Sequence, residues 1–536
     1  MSEQFKNLER QKMGIGHFIA RAAELHPDRI AIDDLLNCRK LTYAELDRRI
    51  NQLGRALIGS GIKRGEMVAS MLRNEHALVE TVFACARIGA IVTPLNIRLI
   101  ATEVTDYVTE HGCRAVVADA DFIDRFEGAP IETKFGFGDV KETGWKNYDI
   151  LIEAENGDTL PAVTLLDDPY RLVMTGGTTG KSKGVLHSQG GSVITVLADV
   201  AEYGIKRGWQ TLTILPGYHV AGMEWGMFTI FARAGTVVFP ADTSFNPTKY
   251  LNEVRARGIQ YLPLVPAVIN PLFDTWDGIP LSAPRTVVTT ASATPQVLRR
   301  KLAQMFPQAD IFAAAGLSES LNLATQGPGE FLEQPHAIGE PHIDTRVMIL
   351  DDDDQPLARG SPGNIVMRNF NTALGYHRNP EAAAQTWRTR KSDPEGLHWC
   401  FTGDIGVMDM DGRITLVDRS KDVVKTGGES VPSVEVETVY SEHRYLRECA
   451  VLGVEDERWG EAILLVAVVD KGAPAAAELA ADLFSWGRGE MSAFKVPKKI
   501  AFVDELPRSH FGKVLKRDLR NMVFDQVFEA SRGQSS

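Results

Sequence analysis

Between residues 41 and 96 the apolar positions change period three times. Leu46, Ile50, Leu53 and Leu57 fall on one face of a helix, because residues three and four apart stack on the same side at 3.6 residues per turn. Gly61 and Gly65 break that pattern, and Met67 to Met71 reads as a strand. A helix from about His76 to Ile88 follows, then a strand from Ala90 to Pro94. Alternation of this kind predicts a parallel sheet with helices on both faces. Tyr170 to Met174, Thr211 to Leu215, Thr236 to Phe239 and Arg285 to Thr289 are further strand-like segments.

After about residue 420 a second, smaller pattern begins. Glu448 to Leu452 and Ala462 to Val469 read as strands, and the stretch from Asp470 reads as a surface loop entering a helix. Basic residues gather between Lys495 and Arg520. The expected fold class is α/β. A large multi-subdomain N-terminal part, residues 1–420, carries parallel and mixed sheets, and residues 421–536 form a small mobile α+β C-terminal domain.

Composition narrows the class. The 536 residues exceed what one hydrophobic core supports. A net charge of −12 argues against a general nucleic-acid binder, which needs a broad basic surface. Cys38, Cys85, Cys113, Cys400 and Cys449 are odd in number, scattered and without a CxxC pair. They read as reduced thiols of a cytoplasmic protein. The N-terminus is polar, the end RGQSS is no peroxisomal address, and the longest apolar runs are too short to span a bilayer. No transmembrane segment is expected.

The candidate chemistry centres on Arg171 to Ser188, RLVMTGGTTGKSKGVLHS. A mostly apolar strand runs into Thr175, Gly176, Gly177, Thr178, Thr179, Gly180, Lys181, Ser182 and Lys183. Glycines let backbone N–H groups converge on an anion, hydroxyls add donors and lysines add charge, which suits a polyphosphate. The segment misses the Walker A pattern by one residue. That motif needs glycine five positions before Gly180, where Thr175 stands. A kinase-type or motor ATPase is therefore disfavoured.

This loop resembles the TSGTTGxPKG signature of the adenylate-forming superfamily, with Gly176 in place of serine and Ser182 in place of proline. Further motifs follow in the family's order over about residues 41 to 520, and they point to its acyl- and aryl-CoA synthetase branch. AAGLSES, Ala314 to Ser320, is similar to the family's YGxTE segment. The resemblance places Glu319 and Thr178 with Mg²⁺, since a hard cation wants oxygen ligands. It places Thr290, Ala291, Ser292, Ala314, Ala315, Gly316 and Ser318 along the nucleotide site. The family's adenine-packing aromatic is Ala315 here.

FTGDIGVMDMDGRITLVDRSKD, Phe401 to Asp422, is the closest match of the segments. It implies that Asp404 and Arg419 lie on the ribose side, where a carboxylate can accept from a vicinal diol. It also puts Lys421 at the hinge between the domains. KTGGES resembles the loop that approaches the site in the thioester-forming state, with Gly427 and Gly428 beside the thiol arm. Trp459 in DERWGE is either small-domain core or a stacking surface for the coenzyme A adenine. LPRSHFGKVLKRDL puts Lys513 at the family's C-terminal lysine, which meets a carboxylate and the α-phosphate together.

The resemblance implies two steps with ATP, Mg²⁺ and coenzyme A: formation of an acyl-adenylate, then attack by a thiol. The acid pocket is expected near LPGYHVAGMEWGMF, where His219 takes a position bordering the substrate carboxylate. No aspartate stands in YHVAG to receive an amino group, although Glu224 nearby leaves a charged group on the acid open. The small residues Thr290, Ala291, Ala313, Ala314 and Ala315 leave room for a ring or a branch. The expected partner is a small-molecule carboxylic acid that is aromatic, alicyclic or medium-chain, and a homodimer is compatible with the same reading.

The alternatives are an adenylation enzyme serving a carrier protein or other acceptor, a luciferase-like oxygenase, and a nucleotide-binding regulator without catalysis. Glu319, Asp404 and Lys513 together disfavour the regulator. The 23 residues after Lys513 leave no room for a carrier segment, which favours a free thiol cofactor.

Overall fold

The computed structural model describes residues 13–175, 183–291, 294–335, 337–390, 396–419, 422–426, 429–456, 458–508 and 514–530. The expected helix runs from Tyr43 to Gly59. It begins at Thr42, whose hydroxyl accepts from the Glu45 N–H while the Glu45 carboxylate accepts from the Thr42 N–H. This reciprocal capping satisfies donors that the first turn leaves open. Leu46, Ile50, Leu53 and Leu57 are all buried. Each contributes about 1.5–3 kcal/mol by leaving water. The next helix, His76–Ile88, is buried almost all round and stops at Gly89. There φ is 75°, a conformation glycine adopts without a Cβ clash.

The second of these helices packs on an eight-stranded sheet that is mixed, not wholly parallel. Met67–Met71 pairs parallel with Ile91–Pro94 and with Cys113–Asp119. Pro169–Thr175 instead pairs antiparallel with Lys183–Ser188, from Pro169↔Ser188 to Thr175↔Lys183. The glycine-rich segment therefore joins two strands of a hairpin, whereas a Walker A loop opens a helix.

A 14-stranded sheet holds the remainder of the large part. Its parallel stretch includes Tyr261–Leu264, Thr286–Thr289 and Asp310–Leu317. The strand expected from Thr211 to Leu215 is shorter, Gln210–Leu212. Thr213 still donates its N–H to the Val238 carbonyl at 3.2 Å, and residues 214 and 215 fall outside the strand. His398–Met408 and Ile414–Arg419 form an antiparallel pair at the far side. A six-stranded sheet begins at Val424–Thr426. Its buried strand Gly460–Val469 and the helix Ala476–Glu490 match the pattern of the second α/β region.

All five cysteines are free thiols. Among the described residues no helix is long and apolar enough to cross a membrane.

Candidate active site

The hairpin presents its two ends side by side. The Thr175 hydroxyl donates to the Lys183 carbonyl at 3.3 Å. Gly176, Gly177, Thr178, Thr179, Gly180, Lys181 and Ser182, between those ends, lie outside the described residues. Lys183 Nζ stands 4.8 Å from the centroid of the Tyr376 ring.

The C-terminal ends of neighbouring parallel strands supply the next segments. Thr290 follows Thr286–Thr289, is buried, and donates its N–H to the Leu264 carbonyl at 3.1 Å. Ala291 turns out to solvent with φ 73°. That left-handed conformation is costly for a residue with a Cβ and collects at functional sites. Ser292 lies outside the described residues. On the adjacent strand Ala314 is buried, Ala315, Ser318 and Glu319 are half-buried, and Gly316 is exposed. The pairing with Leu321–Gln326 shifts register between Ala315 and Gly316. A Cβ on Gly316 would meet the Leu321 carbonyl at 2.2 Å, so only glycine lets the two backbones close there.

Glu319 is held at both ends. Its carbonyl accepts from Ala373 N–H at 3.0 Å, and its Oε1 accepts from the Tyr376 hydroxyl at 2.9 Å. Burial, followed by the Glu319 charge, pushes the Tyr376 phenol well above its ordinary range, so it stays a donor.

Asp404 and Arg419 stand directly opposite one another on the antiparallel pair. The turn before Asp404 is fixed by Gly403 at φ 76° and by the Asp404 N–H donating to Thr402 Oγ1 at 3.1 Å. Two residues assigned to the ribose are thus brought together by strand register. Lys421, Gly427, Gly428 and Lys513 lie outside the described residues.

His219 precedes a short helix, Val220–Met223, that passes into a π-helical turn, Glu224–Phe228. Such turns are frequent at functional sites. The His219 Nδ1 accepts from Ala221 N–H at 3.2 Å, which puts the proton of the neutral ring on Nε2. Burial, with the Arg171 charge second, lowers this imidazole to about 3, so it is neutral near pH 7.

Glu224 does not face an acid. It is 2% exposed and its Oε1 lies 2.6 Å from an Arg171 guanidinium nitrogen that is itself fully buried. Ser192 donates to the same oxygen at 3.0 Å, and Tyr170 donates to Ser192 at 2.8 Å. Arg171 also reaches Met223 Sδ at 3.2 Å.

Trp459 belongs to neither apolar cluster of the small sheet. It is half-buried at the tight turn between Leu446–Asp456 and Gly460–Val469. Arg458 lies 4.6 Å and Lys498 5.5 Å from its ring centroid. The ring is thus flanked by two cations at the edge of the small sheet.

Two residues escaped the sequence reading. Arg171 carried a usable signal, because an arginine inside an apolar strand needs a buried acid. Tyr376 carried none, since only the strand pairing brings it beside Glu319.

Among the described residues no three His, Cys, Asp or Glu side chains converge on one point. The carboxylate assigned to Mg²⁺ is Glu319, an oxygen donor of the kind a hard cation takes together with substrate phosphates. The family described as AMP-binding enzyme matches residues 19–377, and its C-terminal domain matches residues 435–513. The chain belongs to the AMP-binding enzymes.

An indoleacetate–CoA ligase of Aromatoleum aromaticum is 30% identical over 96% of this chain and 99% of its own. A feruloyl-CoA synthase of an Amycolatopsis species is 28% identical over 95% and 99%. The ATP-bound structure of MatB from Rhodopseudomonas palustris superposes with a TM-score of 0.84 at 26% identity, covering 95% of this chain and 99% of that one. This AMP-binding enzyme is an acid–thiol ligase of the CoA-ligase branch, with ATP and coenzyme A as its cosubstrates. Mg²⁺ is expected for the family.

Proposed function

We propose that the chain converts an aromatic, alicyclic or medium-chain carboxylic acid, ATP and coenzyme A into the acyl-CoA, AMP and pyrophosphate. The observation that carries the choice of acid is the buried Arg171–Glu224 pair. It removes the only carboxylate in the His219 segment from contact with substrate. The residues that follow His219, Val220, Ala221 and Met223, are apolar and buried, which supports an apolar acid. Both similar ligases are named for aromatic acyl groups.

In the first step the acid's carboxylate attacks the α-phosphorus and pyrophosphate leaves along Thr175 to Lys183. The neutral His219 borders the carboxylate. Lys513 offsets the crowding of negative oxygens as the bond forms. Bound Mg²⁺, held by Glu319 and Thr178, would neutralise phosphate charge. Asp404 and Arg419 hold the ribose.

In the second step the thiol enters past Gly427 and Gly428 while its adenine rests on Trp459. Lys513 and the thiol arm cannot share one place, so the small domain turns on Lys421 between steps.

The test is AMP release over a panel of acids, with and without coenzyme A, read as kcat/KM. A preference for aromatic or medium-chain acids supports the reading. A preference for acetate or a free amino acid overturns it, and turnover independent of coenzyme A would assign another acceptor.

A further inference from the structure

One ring ties together three segments that are far apart in sequence. Tyr376 lies on the short strand Gly375–Tyr376, which pairs antiparallel with the outgoing strand of the phosphate hairpin through Gly375↔Leu186 and Tyr376↔Val185. His377 continues the register by donating its N–H to the Gly184 carbonyl at 2.9 Å. From this strand the phenol donates to Glu319 Oε1 at 2.9 Å. The ring carries Lys183 Nζ at 4.8 Å and tilts against Trp387, also at 4.8 Å. Ala373, three residues earlier, fixes the Glu319 backbone. Both ends of Glu319 are therefore set by residues 373–376, and those residues are set by the hairpin.

We propose that Tyr376 is the positioning residue that makes Glu319 a one-oxygen ligand: the phenol occupies Oε1, leaves Oε2 for the cation, and ties that carboxylate to the phosphate hairpin. The inference rests on the reading of Glu319 as the Mg²⁺ carboxylate. Mg²⁺ demands near-octahedral geometry and takes carboxylates through one oxygen, whereas Ca²⁺ accepts both oxygens in a looser shell. A hydrogen bond on Oε1 takes one of that oxygen's two lone pairs and fixes the carboxylate's orientation, which disfavours the two-oxygen mode. Tyr376 thereby favours Mg²⁺ over Ca²⁺ as the partner of ATP. The Lys183 charge over the same ring keeps the hairpin and the carboxylate in one register.

The experiment is calorimetric titration of ATP, without acid, into the full chain at a series of free Mg²⁺ and, separately, Ca²⁺ concentrations. In Tyr376→Phe the Mg²⁺ needed for half-maximal ATP affinity should rise about tenfold, as expected for losing a hydrogen bond to a charged group. The Ca²⁺ requirement should stay within about twofold, because the freed carboxylate gains the mode Ca²⁺ prefers. Phenylalanine keeps the contacts with Trp387 and Lys183, and melting temperature checks the fold. Glu319→Asp provides a second route, since a shorter side chain withdraws from the phenol and should lower the same Mg²⁺/Ca²⁺ ratio. In Glu319→Gln, adding Tyr376→Phe should change nothing further. Parent-like Mg²⁺ and Ca²⁺ requirements in Tyr376→Phe, beside an altered Mg²⁺ requirement in Glu319→Gln, would overturn the role of Tyr376. An unaltered requirement in Glu319→Gln would instead overturn the metal assignment beneath it.

Discussion

Two glutamates neighbour the two strands of the glycine-rich hairpin, and their surroundings differ. Glu224 meets Arg171 on the incoming strand, with both side chains out of contact with water. Glu319 meets Tyr376, whose strand pairs with the outgoing one, and stays half-buried. A carboxylate sealed from solvent needs an opposite charge beside it, and Glu224 takes Arg171 and Ser192 on the same oxygen, Oε1. Glu319 is held on one oxygen by a neutral hydroxyl and not by an opposite charge. On the proposed function, the difference separates a sealed acid side, where charge supports the fold, from an open nucleotide side, where charge supports chemistry. Substitutions on the first side should register in stability, and those on the second in kinetics.

The largest effect belongs to the sealed side. Arg171→Met strands Glu224 without its partner and should destabilise the chain by about 3–5 kcal/mol. Urea unfolding would measure it, and Glu224→Leu added to Arg171→Met should recover most of the loss. A parent-like midpoint in Arg171→Met would break the contrast.

On the open side, Lys513→Ala should leave the unfolding midpoint unchanged and slow adenylate formation roughly a hundredfold, about 3 kcal/mol of transition-state stabilisation. Thioester formation from supplied acyl-AMP should be spared. Gly428→Leu should do the reverse by filling the thiol channel. Paired single-turnover assays of pyrophosphate release and thioester formation distinguish them, and equal damage to both steps in both variants would end the assignment.

An acid-dependent loss of stability sharpens the same contrast. His187 is fully buried, and burial with the nearby Arg171 charge lowers its pKa to about 3. The folded value lies below the unfolded one of about 6.5, so the unfolded chain takes up the proton first. Its contribution is complete above pH 6.5 and is lost as pH falls from 6.5 toward 3, on the order of 2 kcal/mol by pH 5. His187→Gln should flatten the stability profile between pH 6.5 and 5 by that amount, and a profile parallel to the parent's would contradict it. His342 behaves oppositely. Asp199 and Asp344 raise it to about 10 against burial, so its contribution is complete below pH 6.5 and is lost only as pH rises toward 10.

The smallest effect is expected at Trp459. Its flanking cations and distance from the core predict that Trp459→Ala raises KM for coenzyme A about fivefold, roughly 1 kcal/mol, without moving the melting temperature. A large drop in melting temperature with unchanged KM would return this residue to a packing role.

The chain's own pattern determined the local elements, because helix period, capping and strand propensity act within a few residues. The helix over Leu46, Ile50, Leu53 and Leu57, the strand at Met67–Met71 and the buried strand ending at Val469 are all present. The order of loops, carboxylates and glycines was likewise legible, which is why the family could be named from the motifs and then matched over residues 19–377. What the sequence left undecided were pairings over long separations. Arg171 and Glu224 are 53 residues apart, and Tyr376 and Glu319 are 57 apart. No local rule says that Glu224 will meet an arginine while Glu319 meets a phenol. Only the tertiary structure decided this, because burial and strand register determine which charges meet and which remain open to a ligand.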